Sequence, residues 1–275
     1  MTGGGTRAGA RGGETPGGAR AFGALHHDAG TPLLLPNAWD HASAAALAAE
    51  GFAAVGTTSL GVAAAAGLRD GAGAARAETL AVARRLGGGA WLLSVDAEGG
   101  FSDDPDEVAS FVGELARTGA VGVNLEDGRA DGTLAPMEVH AAKVAAVKAA
   151  VPGVFVNART DTHWLRPAGP DETAPRLAAY QQAGADGVFV PGLSDPERIA
   201  ALVRTLDVPL NVLYAPDGPT LAELGALGVA RVSLGSLLFR RALGAAVAAA
   251  ADVRAGRRPT GPLPGYDAVQ ALSDA

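Results

Sequence analysis

The segment that decides the fold runs from Gly119 to Asp127 and reads GAVGVNLED. Its short apolar run follows a Gly-Ala pair and ends in two acids, which is the pattern of a buried strand that stops at a polar turn. The segment Gly184–Val190 repeats the phrase as GADGVFV. The repeat predicts the same helix-to-strand turn at both places, and it is a signal of fold rather than of function.

Short apolar runs of this kind alternate with Ala-rich helical stretches along the chain. The runs are Leu33–Pro36, Ala53–Gly56, Trp91–Val95, Val121–Leu125, Val154–Asn157, Gly187–Val190, Leu210–Leu213 and Arg231–Leu234. The predicted helices are Asp40–Glu50, Pro105–Thr118, Pro136–Ala150, Asp171–Ala183, Asp195–Thr205, Thr220–Leu227 and Ser236–Arg254. Eight strand–helix alternations, spaced by about 20 to 35 residues, predict a (β/α)₈ TIM barrel. The alternative, a doubly wound sheet, needs a Gly-rich turn after the first strand, and Pro36–Asp40 is not one.

The composition supports one barrel domain with short extensions. Hydrophobic residues make up 48% of the 275 residues, enough for one large core. We expect residues 1–21 to be a disordered tail rich in Gly and Arg and residues 22–255 to be the catalytic barrel. Residues 256–275 are a C-terminal extension rich in Pro and Gly.

Charge and residue usage exclude several classes of function. The 22 basic and 29 acidic residues give a net charge of −7, which argues against nucleic acid or an anionic membrane as partner. The absence of cysteine excludes disulfides, thiolate metal sites and a cysteine nucleophile. No run reaches the roughly 20 apolar residues that cross a bilayer, and the N-terminus lacks the apolar run of a secretory signal. We therefore expect a cytoplasmic protein that acts on a small molecule.

A barrel builds its active site at the C-terminal ends of its strands, and acids concentrate there on two neighbouring strands. Asp96 and Glu98 follow the third strand, and Glu126 and Asp127 follow the fourth. Residues two apart on a strand point to one face, so Asp96 and Glu98 both address the barrel mouth if the strand extends that far. Clustered carboxylates need a cation, and hard oxygen ligands open to water suit Mg²⁺, with Mn²⁺ as the alternative.

Arg159, at the end of the fifth strand, is the basic side chain expected amid these acids. A guanidinium there can clamp a substrate carboxylate or neutralise a developing enolate oxygen. It can equally form a salt bridge to Glu126 or Asp161, and the two roles are compatible. Any single acid of the set can also be structural, as a helix cap or as a partner of Arg159.

Other polar residues carry weaker signals. The turn Thr57–Gly61 offers hydroxyl and N–H groups that suit a carboxylate, although such a turn is more often only a turn. Asp70 reads as a surface turn, and Trp39 and Tyr214 as wall residues at strand ends. The histidines at 26, 27, 41 and 140 are predicted to lie on helix faces or termini. His163, near the end of the fifth strand, is predicted to lie outside the site.

Six phrases together resemble a known family. They are LPNAWD at Leu35–Asp40, GTTSLGVA at Gly56–Ala63, GLRDG at Gly67–Gly71, SVDAEGGF at Ser94–Phe101, GVNLED at Gly122–Asp127 and NARTD at Asn157–Asp161. Each is weak alone, but in this order and spacing they resemble the isocitrate lyase/phosphoenolpyruvate mutase superfamily. The resemblance covers nearly everything from Phe22 to Arg254.

The resemblance implies a (β/α)₈ barrel that assembles as a homodimer or homotetramer with its last helix exchanged between subunits. It implies Mg²⁺ held partly through water, a bound 2-oxo acid and a shared enolate species, with Asp70 close to the substrate. The implied metal ligands are Asp96, Glu98 and Glu126. The implied catalytic residues are Arg159, Asp70 and Glu126. The implied substrate-binding residues are Trp39, Thr58, Ser59, Leu60, Asn124, Arg159 and Asn211.

The chain departs from the family pattern at two places. The usual acid pair is Asp-x-Asp, and here its second member is the longer Glu98. The loop after the fourth strand, which in the isocitrate-type lyases carries Lys/Arg-Cys-Gly-His, reads GRADGTL at Gly128–Leu134. The Lys-Thr/Asn-Asn-Ser-like loop of the phosphonate-handling branches is missing too. Only Asp131 and Arg129 remain there as acid–base candidates.

Three functional hypotheses follow. The first is carbon–carbon lysis or decarboxylation of an oxo- or hydroxy-dicarboxylate through an enolate, which needs no cysteine. The second is phosphorus–carbon chemistry, either a phosphonomutase or a phosphonopyruvate hydrolase, with Arg159, His163 and Asn124 as candidate phosphoryl-binding residues. The third is a non-catalytic ligand-binding barrel, which the missing loop residues suggest and the retained acids oppose.

Overall fold

The computed structural model describes residues 16–27, 30–165 and 172–274. Its strands are β1 (Leu33–Leu35), β2 (Asn37–Ala38), β3 (Ala54–Thr57), β4 (Leu92–Asp96), β5 (Ala120–Glu126), β6 (Phe155–Arg159), β7 (Gly187–Val190), β8 (Leu210–Leu213) and β9 (Arg231–Ser233). Its helices are α1 (Pro16–Ala24), α2 (His41–Ala49), α3 (Ser59–Ala65), α4 (Arg76–Leu86), α5 (Pro105–Arg117), α6 (Met137–Ala150), α7 (Thr173–Gln182), α8 (Pro196–Thr205), α9 (Leu221–Ala226), α10 (Leu237–Arg254) and α11 (Tyr266–Gln270). A 3₁₀ turn, Ala271–Asp274, follows α11.

The strands form one parallel ring, which confirms the predicted (β/α)₈ barrel. Their order is β1-β9-β8-β7-β6-β5-β4-β3-β2, and each neighbouring pair is parallel. The first barrel strand is split at Pro36, because proline has no N–H to donate to a ladder. Its first half pairs with β9 and its second half with β3, so the ring closes at this residue.

The repeated Gly-Ala-x-Gly-Val phrase has a steric explanation. Gly119 and Gly184 adopt φ values of 104° and 97°, a region that favours glycine, where a helix turns back into a strand. The second glycine of each phrase, Gly122 or Gly187, faces a ring: a Cβ at these positions would lie 2.9 Å from Phe22 and 3.1 Å from Phe155. The phrase therefore shapes both the turn and the bottom of the barrel.

Helix starts follow the predicted capping signals. Asp104 accepts hydrogen bonds from the N–H groups of Asp106 and Glu107 at the start of α5. Asp195 caps α8 in the same way, and a proline occupies the first turn of each helix. Helices α3 and α4, between the second and third barrel strands, are not among the predicted helices; α3 begins at Ser59, inside the segment interpreted as a turn.

Segments near both ends of the chain pack against the barrel. Helix α1 begins at Pro16, inside the segment expected to be a tail, and its Phe22 is fully buried against Phe155. Residues 1–15, the rest of that segment, lie outside the described residues. The C-terminal extension returns to its own barrel, because Leu272 packs on the core and its carbonyl oxygen lies 3.0 Å from Nε2 of His41.

Helix α10 differs from the other long helices because none of its residues is buried. Its apolar side chains Leu243, Val247 and Val253 are each more than half exposed. Among the described residues, no helix combines the length and the hydropathy that a bilayer crossing requires.

The helix-to-strand turn gives a stability prediction. Gly119→Ala should destabilise the fold by at least about 2 kcal/mol, because a Cβ there would lie 2.2 Å from the carbonyl oxygen of Gly87 at a φ that side chains avoid. Gly153→Ala is the matched control, since no atom lies within 4 Å of its added Cβ. Urea denaturation of both variants measures the difference; equal midpoints would contradict the steric account.

Candidate active site

The C-terminal ends of the strands surround one cavity of about 390 Å³. Acidic side chains, Arg159 and apolar side chains all line it, and Cζ of Arg159 lies 5.6 Å from the ring centroid of Phe189. The polar lining includes Thr58, Ser59, Asp70, Asp96, Asn124, Glu126, Arg159, Asp161 and Ser233. The apolar lining includes Leu60, Trp164, Leu165, Phe189, Pro191 and Leu213. The cavity is thus large enough for a small carboxylate with a short apolar substituent.

Three carboxylates in or beside this cavity, together called the acidic cluster, each have an oxygen that is buried without a hydrogen-bond partner. They are Asp70 (Oδ1), Asp96 (Oδ1) and Glu98 (Oε1). The other oxygens of two of these groups are occupied, since the N–H of Ser59 donates to Asp96 Oδ2 (3.3 Å) and the N–H of Gly73 to Glu98 Oε2 (3.2 Å). Buried acceptors without donors are rare in proteins, so this set is unusual.

Several carboxylates in or beside the cavity have raised pKa values because they are buried and close to other acids. Burial, together with the charges of Asp96 and Asp70, raises the pKa of Glu98 to about 7. Burial also raises the pKa of Asp70, with the charge of Asp96 adding to the effect. The pKa of Glu126 lies well above its ordinary value, mainly because of burial and despite the nearby Arg159. The cluster therefore holds more negative charge than its protein partners compensate.

Glu98 reaches the cluster in a different way from the one predicted. Strand β4 ends at Asp96, so the alternation of side chains along a strand does not extend to Glu98. The backbone of Glu98 instead adopts φ 47°, the left-handed region that costs non-glycine residues about 1–3 kcal/mol. Asp96 and Glu98 still lie close enough for their charges to interact. A strained backbone beyond the end of β4, and not the alternation of side chains along a strand, therefore brings Glu98 close to Asp96.

Arg159 makes both of the salt bridges that the sequence suggested. Its Nη1 lies 2.8 Å from Glu126 Oε2, its Nε 2.6 Å from Asp161 Oδ1 and its Nη2 3.1 Å from Asp161 Oδ2. Burial alone would lower the pKa of Arg159, but Asp161 and Glu126 outweigh it and raise the pKa above its usual value. The guanidinium is therefore a permanent charge, held in a fixed orientation at the edge of the cavity.

Asp127 belongs to a separate network and not to the acidic cluster. Its Oδ2 accepts hydrogen bonds from the hydroxyls of Tyr180 (2.6 Å) and Thr160 (2.8 Å) and from Arg176 (3.2 Å). Its Oδ1 accepts from the N–H of Asp161 (2.9 Å). Of the four acids that the sequence grouped together, Asp127 is thus fully compensated, and it ties α7 to the ends of β5 and β6.

The predicted substrate-binding residues fall into two groups. Thr58, Ser59, Leu60, Asn124 and Arg159 line the cavity. Trp39 does not line it and packs edge-to-face on Phe239 of α10, with ring centroids 5.4 Å apart. Asn211 is buried below the cavity, where it bonds to the hydroxyl of Ser233.

The loop after β5 is a short, closed hairpin. Gly128 and Leu134 pair across it, and Asp131 is tied to the N–H and hydroxyl of Thr133 (2.9 and 2.6 Å). Arg129 lines the cavity but forms a salt bridge to Asp103 (2.8 Å). Arg129 is therefore paired with an acid, and Asp131 is exposed and does not line the cavity.

The histidines agree with the structural roles that the sequence suggested. His140 is buried in α6 against Tyr180, and His26 is stacked on Phe155 below the barrel. His163 does not line the cavity. Sequence reasoning missed Arg231, a buried arginine on β9 beneath the cavity; the signal was a charged residue at the start of an apolar strand.

A divalent cation fits the donors that the structure presents. The unpartnered oxygens of Asp70, Asp96 and Glu98 are hard, anionic ligands of the type that Mg²⁺ prefers. Within the described part of the chain, no group of three or more His, Cys, Asp or Glu side chains is arranged to hold an ion by itself. Water or substrate atoms would therefore have to complete the coordination, as is usual for Mg²⁺.

The fold and the cavity define an α/β-barrel protein whose polar and charged side chains lie at the C-terminal ends of the strands. The family model described as phosphoenolpyruvate phosphomutase matches residues 22–254. The chain therefore belongs to this family. The family lies within the isocitrate lyase/phosphoenolpyruvate mutase superfamily, which the sequence motifs also resemble. Its members are enzymes that act on small molecules, which makes a catalytic role the coarse functional assignment.

Three relatives illustrate the range of the similarity. The uncharacterized protein Rv1998c of Mycobacterium tuberculosis is 47% identical over 86% of this chain and 90% of its own length. Phosphoenolpyruvate phosphomutase of Streptomyces hygroscopicus is 32% identical over 78% of this chain and 72% of its own. Oxaloacetate decarboxylase of Chromohalobacter salexigens is 32% identical over 54% of each chain. The relatives thus span phosphorus–carbon and carbon–carbon chemistry.

The buried histidine next to this site gives a pH prediction. Burial lowers the pKa of His140 from its ordinary 6.5 to about 4, so folding favours the neutral ring. The stability that this residue contributes is complete above pH 6.5 and is lost as the pH falls towards 4. At pH 5 the loss is about 2 kcal/mol.

Urea denaturation at pH 7.5 and pH 5 tests this effect. His140→Phe, which cannot titrate, should lose less stability over this interval than the unmodified protein. His27→Gln is the control, because His27 is exposed and should leave the acid dependence unchanged. An equal loss in the His140→Phe variant would refute the assignment.

Proposed function

We propose that this protein is a Mg²⁺-dependent carbon–carbon lyase or decarboxylase that acts on a small 2-oxo or 2-hydroxy carboxylate through an enolate. The observation that carries the proposal is the set of unpartnered carboxylate oxygens of Asp70, Asp96 and Glu98 in the same barrel mouth as Arg159. Such a set suits a cation and an anionic ligand bound together. The similarity to an oxaloacetate decarboxylase supports the reaction class.

Asp96, Glu98 and Glu126 are the residues proposed to hold the ion, with water between them where direct contact is not reached. When bound, Mg²⁺ supplies electrostatic stabilisation to negative charge that develops on the oxygen atoms of the substrate. Glu126 also accepts the Arg159 salt bridge, so it links the ion site to the guanidinium. The two positive groups would then face the same oxo-acid.

Arg159 is the proposed catalytic cation of the chain itself. Asp161 accepts two hydrogen bonds from one edge of its guanidinium, through Nε and Nη2, which limits its movement and preorganises its charge. In a decarboxylation, the bond to the departing carboxylate breaks, carbon dioxide leaves and the electron pair moves towards the carbonyl oxygen. A fixed guanidinium beside that oxygen stabilises the charge without having to reorient.

The remaining lining residues position the substrate. Thr58, Ser59 and Leu60 lie at the start of α3 and are proposed to bind the carboxylate that does not react. Phe189 and Leu213 contribute apolar surface to the cavity lining. Asp70 is the proposed proton donor to the product carbon, because burial raises its pKa and Asp131 of the hairpin after β5 does not line the cavity.

A phosphonomutase or phosphonopyruvate hydrolase is the second candidate. The description of the matching family model and the similarity to a phosphoenolpyruvate phosphomutase favour it. Against it, the only basic side chains that line the cavity within the described residues are Arg69, Arg129 and Arg159, and two of them already form salt bridges. The strained, uncompensated acids argue against a non-catalytic barrel, because they lower the stability of the fold and would serve no purpose without a ligand.

We further propose that the enzyme is a homodimer or homotetramer in which α10 is exchanged between subunits. The proposal is supported by the lack of any buried residue in α10 and by the exposed Leu243 and Val247 on it. Exposed apolar side chains on a long helix usually meet another surface.

The metal assignment predicts the behaviour of one isosteric variant. Asp96→Asn should weaken Mg²⁺ binding at least tenfold, about 1.4 kcal/mol, because it removes a charge from the cluster and keeps its shape. Isothermal titration measures the affinity directly. Asp131→Asn, which changes an exposed acid of the nearby hairpin, is the control. Unchanged affinity in Asp96→Asn would show that the ion does not bind at this cluster.

The reaction assignment predicts turnover of oxaloacetate or of 2-methyl-substituted malates and citrates with Mg²⁺ present. Pyruvate release, followed with a coupled dehydrogenase, measures the first activity, and ³¹P NMR with phosphonopyruvate measures the competing one.

Arg159→Lys should lower kcat by about 10²–10³, because a single ammonium cannot replace the oriented guanidinium. No turnover of oxaloacetate or of the substituted malates and citrates, together with conversion of phosphonopyruvate, would favour the second candidate function.

A further inference from the structure

Arg231 lies inside the barrel, on β9, directly below the cavity. Its side chain is 1% exposed and is the largest of the fully buried side chains. Among the described residues, no carboxylate lies within salt-bridge distance of it, and burial lowers its pKa to about 9. A buried guanidinium without a counter-ion is costly, and a hydrophobic residue would fill a barrel interior more cheaply. The presence of Arg231 at this position therefore suggests a function that depends on its charge and its N–H donors.

The contacts of Arg231 lead upward to the cavity floor. Its Nη2 donates to Asn124 Oδ1 (3.3 Å), and its Nε donates to the hydroxyl of Ser233 (3.0 Å). Asn157 Nδ2 donates to the same oxygen of Asn124 (2.9 Å). Asn124 and Ser233 both line the cavity, while Arg231 and Asn157 do not. The amide oxygen of Asn124 therefore faces two donors that lie away from the cavity.

These contacts decide which end of the Asn124 amide is offered to a ligand. A guanidinium carries only donors, so the atom of Asn124 that faces it must be the oxygen. Two paired asparagines alone can invert together, each exchanging its oxygen for its NH₂ group, and still keep one hydrogen bond. Arg231 removes that freedom. Within the described part of the chain no acceptor takes Asn124 Nδ2, which leaves this NH₂ group available at the cavity floor.

We infer that Arg231 is a positioning residue that locks Asn124 as a hydrogen-bond donor to an oxygen of the bound oxo acid. The nature of the ligand rests on the proposed function, whereas the orientation of the amide rests on the hydrogen bonds alone. The orientation matters because the floor lies beside Asp96 and Glu126, where a carbonyl oxygen would repel an anionic ligand. A locked NH₂ group adds a donor without adding a charge that would compete with the metal ion.

Oxalate, a planar dianion that resembles the pyruvate enolate, is the probe for this inference. Its dissociation constant is measured by isothermal titration at Mg²⁺ concentrations that saturate each variant. Asn124→Asp keeps an oxygen towards Arg231 and Asn157 but replaces the cavity-facing NH₂ group with a second oxygen. We expect it to weaken oxalate binding about a hundredfold while its Tm stays close to that of the unmodified protein.

Arg231 is tested by a conservative pair of variants and a double-mutant cycle. Arg231→Met frees the amide to invert and should weaken oxalate binding about tenfold, whereas Arg231→Lys, which still presents only donors, should restore most of the affinity. In an Asn124→Leu background, Arg231→Met should have no further effect on oxalate binding. If Arg231→Met does not fold, Arg231→Lys and Asn124→Asp carry the test.

The outcomes separate this inference from the proposed reaction. Oxalate affinity that is unchanged in Asn124→Asp, or an Arg231→Met effect that persists without the Asn124 amide, would overturn the inference even if oxaloacetate is turned over. Weakened oxalate binding in both single variants would support it even if no carbon–carbon lysis is found. Failure of the unmodified protein to bind oxalate with Mg²⁺ would overturn both.

Discussion

Carboxylates buried side by side repel one another, and the way in which each is compensated governs the whole mouth of this barrel. Asp127 is neutralised from outside by Arg176 and by the hydroxyls of Tyr180 and Thr160. Asp161 and Glu126 share Arg159. Asp70, Asp96 and Glu98 keep an oxygen without any partner. Asp70 and Asp96 line the cavity and Glu98 lies beside it, so these uncompensated acids mark the place where an external cation would be most strongly attracted.

The scaffold maintains this arrangement through backbone features far from the charge. Gly119 and Gly184 turn the chain, at angles that only glycine adopts readily, just before β5 and β7 begin. Pro36 splits the first strand at the closing seam. Glu98 is held in the left-handed region, a local cost that the rest of the fold must outweigh. The glycine turns help to stabilise the barrel. The stability of the barrel in turn offsets the strain at Glu98 and the repulsion among the acids at the mouth.

The interior of the barrel is polar beneath that mouth. Arg231, Asn124, Asn157 and Ser233 form a hydrogen-bonded layer in which one buried guanidinium orients neutral amides. Low dielectric surroundings strengthen such bonds and also make an unpaired group expensive, so the layer has few alternative arrangements. The short hairpin after β5 contributes little chemistry by comparison, because its charged residues are tied to Asp103 and Thr133.

The amino-acid sequence by itself determined the eight-fold alternation, the capped helix starts and the positions of the acids at strand ends, because these depend on local periodicity and on short turns. It also identified Arg159 amid the acids, since strand ends of a parallel barrel meet at one mouth. Tertiary structure alone decided which acids are compensated. Asp127 and Glu126 are adjacent in the chain, yet one faces α7 and the other the cavity. Three other features likewise depend on contacts between residues distant in the chain, which no local pattern encodes. They are the left-handed backbone at Glu98, the burial of Arg231 beneath Asn124 and the packing of Trp39 on α10.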